Sequence, residues 1–412
     1  MFVIESAIAH AADELGINAS EIQKRNLIRN GDEFPYGQIA VSEANECWEK
    51  AEKIFDLQKM RNEVAQFNSK NQLYKKGIAL MPVAFGISFT KTLMNQARAL
   101  VHVYTDGSVN VSTGAVEMGQ GVNTKILQVA AHTFSVDPAM IRVNSTNTFR
   151  IANTSPSAAS ATADLNGRAT QIACEAILNR LKEVAAMELN TTVDSISVIN
   201  QCVFVKGEKS SLDWRQLTMA AYLRRVSLSE HGHYATPEIS FDAKKEKGHP
   251  FAYHVYGSAI ITATIDCLRG TYEFDSVNVV HDFGASMNVI IDRGQVEGGI
   301  VQGIGWMTME EVIYDKDGRL RSNALSTYKV PDVYSVPKEI NIDFLQTNVD
   351  NLAIFRSKAV GEPPLMYGIG AFFALREAMK AFNPNAKSTF ESPMTPERVL
   401  MTLHSDELII NN

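Results

Sequence analysis

The chain has 412 residues, 45% hydrophobic and 21% charged, the balance of a globular protein with a sizeable core. With 39 Lys and Arg against 46 Asp and Glu, its net charge is −7. That excludes the basic stripe of a dedicated nucleic-acid binder and a strong pull toward anionic membranes. No apolar run reaches the roughly 18–20 residues of a membrane span. The opening residues 1–5 lack the basic lead and apolar core of a secretion signal. Cys47, Cys174, Cys202 and Cys267 lie far apart with no CxxC pattern. Neither a zinc site nor an iron–sulfur cluster held by this chain is expected, and the thiols read as reduced in a cytoplasm.

In chain order, residues 2–15 place Ile4, Ile8, Ala11, Ala12 and Leu15 on one face of a helix with no capping residue before it. Ser20 to Gln23 has the form of a capping box, with Ser20 as N-cap and Gln23 reaching back. Residues 41–75 read as a strongly charged, solvated connecting helix. Residues 99–104 and 109–112 flank Asp106-Gly107 and predict a hairpin. A helix is expected after Gly121, through Thr124, Leu127, Val129 and Ala130. A long amphipathic helix is expected over 164–189, with Ile172, Ala173, Ala176, Ile177 and Leu181. Residues 198–205 predict a strand. His231-Gly-His233 reads as a loop, and no third ligand is evident to make it a metal site. Residues 253–281 predict two strands split near Arg269-Gly270. Residues 290–309 predict a glycine-rich, closely packed helix, and 369–382 a last one. Strands and helices mix without a βαβ rhythm, so the fold class is α+β, with mixed sheets and packed helices.

Four segments carry possible chemistry. Gly114-Ala-Val-Glu-Met-Gly-Gln-Gly121 follows a predicted strand and opens a predicted helix. Its glycines let backbone N–H groups approach an anion, and Gln120 between them can present its amide outward. Residues 119–124 lack the third glycine of a dinucleotide fingerprint, and a simple turn explains the glycines equally well. Thr154-Ser-Pro-Ser-Ala-Ala-Ser-Ala-Thr162 offers small residues and hydroxyls at a helix start, which also suits ordinary capping. In Lys358-Ala-Val-Gly-Glu-Pro-Pro-Leu365, the prolines stiffen a loop that carries Glu362, a candidate general base whose pKa burial would raise. Gly361 permits close approach. Gly294 to Gly305 holds Gln295 and Gln302, amides suited to a heterocycle edge or a phosphate oxygen, on glycines that also serve helix packing.

Together these segments resemble the molybdopterin-binding part of the xanthine dehydrogenase and aldehyde oxidase family. The matching elements are Glu117-Met-Gly-Gln-Gly121, Ser155-Pro-Ser-Ala-Ala-Ser160, Gln295-Val-Glu-Gly298, Tyr328-Lys-Val-Pro331 and Val360-Gly-Glu-Pro-Pro-Leu365, in the family's order. Phe85-Gly-Ile-Ser-Phe89-Thr90 and the serine–alanine loop look like the xanthine dehydrogenase version. The resemblance implies a molybdenum hydroxylase of purines, taking hypoxanthine or xanthine to urate. The metal would be held by a pterin dithiolene, with no side-chain ligand. Glu362 would be the base that deprotonates Mo–OH, with hydride passing to a sulfido ligand. Gln120 and Gln295 would bond the cofactor. Met118, Gly119, Ser160, Ala161 and Thr162 would cradle it, with Gly361 beside them. Phe89 and Thr90 would meet the substrate ring, with room left by Ala158 and Ala159. An aldehyde or another N-heterocycle is the alternative substrate, and a catalytically silent cofactor-binding or interaction module the alternative role.

The resemblance also implies a division of the chain: residues 1–75 as a helical lead-in continuing an upstream domain, and residues 76–412 as the molybdopterin-binding domain. The family's molybdenum subunit is longer than 412 residues. The partners expected are therefore the N-terminal half of that subunit and iron–sulfur and flavin subunits, which would carry the clusters and FAD. The assembled enzyme would pair as a dimer, with no nucleic acid or membrane involved.

Overall fold

The computed structural model describes residues 1–347, 352–385 and 390–404. Two four-stranded sheets, each with its own helices, form the body. In the first, Tyr253–Asp266 pairs antiparallel with Tyr74–Ile87 on one side and Tyr272–Asp282 on the other. Glu339–Leu345 adds parallel to Tyr272–Asp282 at the edge. Nearly every side chain of Tyr253–Asp266 is buried, because both sheet faces are covered. Ala79, Met81, Ile261 and Val279 share one apolar core with the helix Gly370–Phe382. Leu80, Ile260 and Val280 pack with Cys47, Trp48 and Ala51 of the helix Ala44–Ile54 on the other face.

That second layer corrects the expectation for residues 41–75. The charged stretch is two helices, Ala44–Ile54 and Leu57–Lys70, broken at Asp56, whose φ is 49°. The first is core as much as connector: Trp48 is 1% exposed. Residues 74 and 75 already belong to the strand Tyr74–Ile87. The opening helix, Phe2–Leu15, also turns differently from its apolar pattern. Ile4 and Leu15 are 59% and 66% exposed, while Glu5, Ser6, Ala9 and Ala12 are buried. The small residues admit a close neighbour, and Gln23 reaches across to Glu5 Oε2 at 2.7 Å and Leu80 O at 3.1 Å. Gln23 therefore closes no capping box. The N-cap is Asn18, whose Oδ1 accepts the Ser20 N–H at 2.9 Å.

The second sheet runs in the order Ile141–Asn144, Val109–Thr113, Gln96–Val103, Ser229–Ala235. The hairpin around Asp106-Gly107 forms as expected. Helices Val122–Phe134 and Thr162–Glu188 share its core through Val101, Val111, Ile126, Phe134, Ile177 and Leu181, whereas Ile172 faces solvent. His231-Gly-His233 lies in the strand Ser229–Ala235, not in a loop. Gly232 lets this strand lie on the long helix: a Cβ there would sit 2.1 Å from Ala169 O. Residues 198–205 resolve into a hairpin of Ile196–Ile199 and Cys202–Val205. The two units meet where Ile87, Tyr253 and Val255 pack against Ala97, Ala99, Leu165 and Ala169. The N-terminus of Thr162–Glu188 thus points at the seam. Among the described residues no helix is long and apolar enough to cross a membrane.

Candidate functional site

A cavity of about 440 Å³ opens near this seam. Four separate segments line it: the loop before Val122–Phe134, the loop before Thr162–Glu188, the helix Val289–Thr308, and the loop before the short helix Pro363–Tyr367. Met118, Gln120, Ala158, Ala159 and Ser160 are in the wall. So are Thr162, Gln295, Gly361 and Glu362. Gly119, Ala161, Phe89 and Thr90 are not part of this wall. Ala161 is the buried N-cap of the long helix. Phe89 and Thr90 follow the strand Tyr74–Ile87, where Asn95 fixes the Phe89 backbone. The Phe89 N–H donates to Asn95 Oδ1 and Asn95 Nδ2 donates to Phe89 O, both at 2.8 Å.

The first two loops differ in what they leave open. In the glycine loop, Glu117 accepts the N–H groups of Gly119 at 3.0 Å, Gly121 at 2.9 Å and Asn123 at 3.0 Å. Burial works against its charge, but the Asn123, Gly121 and Gly119 amides outweigh it and hold its carboxyl below the usual range. Those donors are therefore taken by a side chain of the loop itself. Gln120 also folds back, donating to Val116 O at 2.8 Å and accepting the Met118 N–H. Both side chains thus brace the loop from within, and the Gln120 amide bonds the loop's own backbone.

The serine–alanine loop is the reverse. No side chain caps the 27-residue helix Thr162–Glu188. Its first-turn residues Thr162, Ala163 and Asp164 line the cavity. A helix start has N–H groups without intrahelical partners and a partial positive charge, which suits an anion. Ala159 and Ser160 sit at φ 54° and 52°, the left-handed region. Backbone strain of this kind costs about 1–3 kcal/mol per residue and collects at binding loops.

Ser160 also joins this loop to Glu362. Its hydroxyl donates to Glu362 Oε2 at 2.8 Å and accepts the Glu362 N–H at 2.8 Å. Gly361 lets the two loops close: a Cβ there would lie 3.0 Å from Ser160 Oγ. Glu362 itself is exposed in this chain, so these residues do not supply the burial anticipated for it. On the opposite side, the glycine-rich helix packs closely, as one reading of its glycines held. A Cβ on Gly299 would sit 2.8 Å from Pro364 Cβ, and one on Gly303 only 2.1 Å from Leu365 O. This brings Gln295 and Gln302 to the cavity wall.

Three further charged residues line the cavity, Lys125 and Asp164 with no sequence pattern to mark them and Lys358 at the head of the glutamate segment. Lys125 pairs with buried Asp292 at 2.7 Å. Lys358 is buried on carboxylates beneath the glutamate loop. Asp164 accepts the Tyr253 hydroxyl at 2.7 Å and the Ile354 N–H at 3.1 Å. Burial pushes its carboxyl up to about 6, against the pull of those two donors. An uncapped helix start, hydroxyls, two amides and a lysine fit a ligand with an anionic group and a hydrogen-bonding heterocyclic edge. A molybdenum-bearing pterin phosphate has that chemistry. Among the described residues there is no His, Cys, Asp and Glu group able to hold a metal directly.

Comparison with known proteins agrees. The model of the molybdopterin cofactor-binding domain matches residues 50–337. Xanthine dehydrogenase/oxidase of Mus musculus is 39% identical over 407 residues, covering 97% of this chain and 29% of that protein. Xanthine dehydrogenase of Oryza sativa subsp. japonica is 38% identical over 413 residues, with the same shares. The chain thus spans less than a third of the length of these relatives. Among solved structures, quinoline 2-oxidoreductase from Pseudomonas putida 86 superposes with a TM-score of 0.82 at 23% identity, covering 98% of this chain and 51% of that one. CO dehydrogenase from Oligotropha carboxidovorans gives 0.85 at 21%, covering 100% and 51%. These two share the fold.

Proposed function

Because the chain belongs to the molybdopterin cofactor-binding domain family, in its xanthine dehydrogenase branch, we propose that it is the cofactor-holding part of a molybdenum hydroxylase of purines. One observation carries this reading: four segments distant in sequence converge on one cavity, with Glu362 at its edge and an uncapped helix start in its wall. The N–H groups and hydroxyls around Ser160 and Thr162 would hold the pterin's anionic end, with Lys125 near them. Gln295 and Gln302 would meet a heterocyclic edge, and Gln120 would stiffen the Met118 loop alongside. When bound, the molybdenum centre supplies the two-electron oxidation that these side chains lack.

Glu362 is the base in this reading. Its carboxylate takes a proton at Oε1 or Oε2, and the Ser160 hydroxyl holds Oε2 in one orientation while the reaction proceeds. Ala158 and Ala159 leave space at the wall. Phe89 and Thr90 would meet the substrate from the neighbouring turn. Their place outside the cavity wall favours a second reading in which the substrate is an aldehyde or another N-heterocycle. The remaining half of the molybdenum subunit and iron–sulfur and flavin polypeptides would complete the enzyme. Four free cysteines accord with a cytoplasmic location.

The test is co-expression with those partners and purine-dependent reduction of a dye. Glu362→Ala should abolish turnover with bound molybdenum near the parent level. Turnover like the parent's would remove Glu362 as the base. Turnover with aldehydes and none with purines would favour the second reading, and none with either a silent cofactor-binding module.

A further inference from the structure

We propose that Lys358 is a positioning residue for the Glu362 loop, and that the helical lead-in takes part in the site through Glu43. This rests on the reading of Glu362 as the base. Lys358 lies four residues before Glu362. Its ammonium is buried between two carboxylates, Glu43 Oε2 at 3.0 Å and Asp282 Oδ2. The three side chains are 4%, 8% and 0% exposed, so solvent screens the cluster little. Asp282 is itself fixed, its Oδ1 accepting the Gly284 N–H and the Thr347 hydroxyl, both at 3.1 Å. Glu43 is the N-cap residue of Ala44–Ile54, the helix that covers one face of the first sheet. The cluster therefore ties a sheet end, a covering helix and the glutamate loop at one point.

The loop backbone runs along the same rail. Lys358 N–H donates to Phe283 O at 2.9 Å, and Ala285 N–H to Arg356 O at 2.9 Å. His281 is buried, and burial lowers its pKa to about 3, so its ring is neutral. Its Nε2 lies 3.4 Å from Ala359 O, which assigns the ring proton to Nε2. Nδ1 then accepts the Tyr367 hydroxyl at 2.8 Å. Beyond Ala359, Val360 packs into the core of the first sheet, and Ser160 bonds both the side chain and the N–H of Glu362. One lysine facing two buried carboxylates is a poor choice for stability alone, since apolar groups of similar volume often serve as well. Holding a loop in one register is a use that apolar groups would not replace.

The test is amide hydrogen exchange on the chain without cofactor, so it reads the loop whether or not Glu362 proves to be the base. The charge-free variant Lys358→Met/Glu43→Gln/Asp282→Asn leaves no unpaired buried charge. Its amides at residues 358 and 362, which in the parent donate to Phe283 O and Ser160 Oγ, should exchange about tenfold faster than the parent's, equivalent to about 1.4 kcal/mol. Amides of Val289–Thr308 should keep parent rates. Glu43→Gln alone, which leaves the Lys358–Asp282 pair intact, should give a smaller rise at the same two amides. Parent rates in the loop, in either variant, would overturn the proposal. So would a rise shared equally by the helices, the mark of general loosening. In the assembled enzyme the same variants should lower kcat at unchanged KM.

Discussion

Gly303→Ala probes the packing that sets Gln302 against the glutamate loop. A Cβ at this position would lie 2.1 Å from Leu365 O and 3.0 Å from Gly368 Cα. Ordinary contact needs about 3.5 Å, so the backbone of the Pro363–Tyr367 turn must retreat by about 1.4 Å. Overpacking of this sort costs about 1–3 kcal/mol, and an obstacle made of backbone puts Gly303 near the upper end. Alanine recovers about 1 kcal/mol of helix propensity, leaving about 2 kcal/mol of net destabilisation. Gly298→Ala is the control, since nothing lies within 4 Å of a Cβ there. It should be neutral or gain up to about 1 kcal/mol. The two variants, in one helix, should therefore differ by about 2–3 kcal/mol, a separation of urea midpoints on the order of 1 M. Equal midpoints would refute the close packing of this helix on the Pro363–Tyr367 turn.

Ser160→Ala removes both bonds to Glu362. Stability should fall by only about 1 kcal/mol at this partly exposed place, while kcat of the assembled enzyme drops about 10- to 100-fold because the base loses its orientation; an unchanged kcat would refute the orienting part. Phe89→Ala should raise the KM for purines about 3- to 10-fold, the worth of a stacked ring, and an unchanged KM would take Phe89 out of the site. His281 makes the chain acid-sensitive. Its folded pKa of about 3 lies below the free value of 6.5. The unfolded chain thus binds a proton first, and stability falls as pH drops from about 6.5 toward 3, by about 1.4 kcal/mol per pH unit from this group. Asp164 works the other way. Its pKa is raised from 3.8 to about 6, so its contribution is full below 3.8 and lost as pH rises through 6. In melts at pH 5 and 7, His281→Gln should lower the pH 5-to-7 change in stability by about 2 kcal/mol relative to the parent, and an unchanged pH dependence would contradict the neutral buried ring.

Much of this was readable from local pattern. The Asp106-Gly107 turn, the long strands on either side of Arg269-Gly270 and the helix after Gly121 each carry their own short-range signal. The cavity motifs around Ser160, Gln295 and Glu362 were legible because glycine, proline and hydroxyl residues cluster there for backbone reasons. What escaped depends on partners far away in the chain. The face of Phe2–Leu15 is chosen by Gln23 and Leu80, so Ile4 goes to solvent against its apolar character. Trp48 sits among charges yet is claimed by Tyr256 and Ile260. Glu43, Asp282 and Lys358 are each an ordinary charged residue until the fold brings them together. Glu117 looked like part of an anion-binding loop and is itself the anion that the loop holds.

The central claim is that this chain holds a molybdenum-bearing pterin in the cavity between Ser160, Gln295 and Glu362. Its most direct test is the molybdenum and pterin content of the chain, purified with its partner half from cells that make the cofactor. The account predicts molybdenum and pterin equimolar with the chain, both lost when a bulky side chain replaces Ala163 at the helix start in the cavity wall. A folded, partnered chain with neither molybdenum nor pterin, or with content unaffected by filling the cavity, would contradict it.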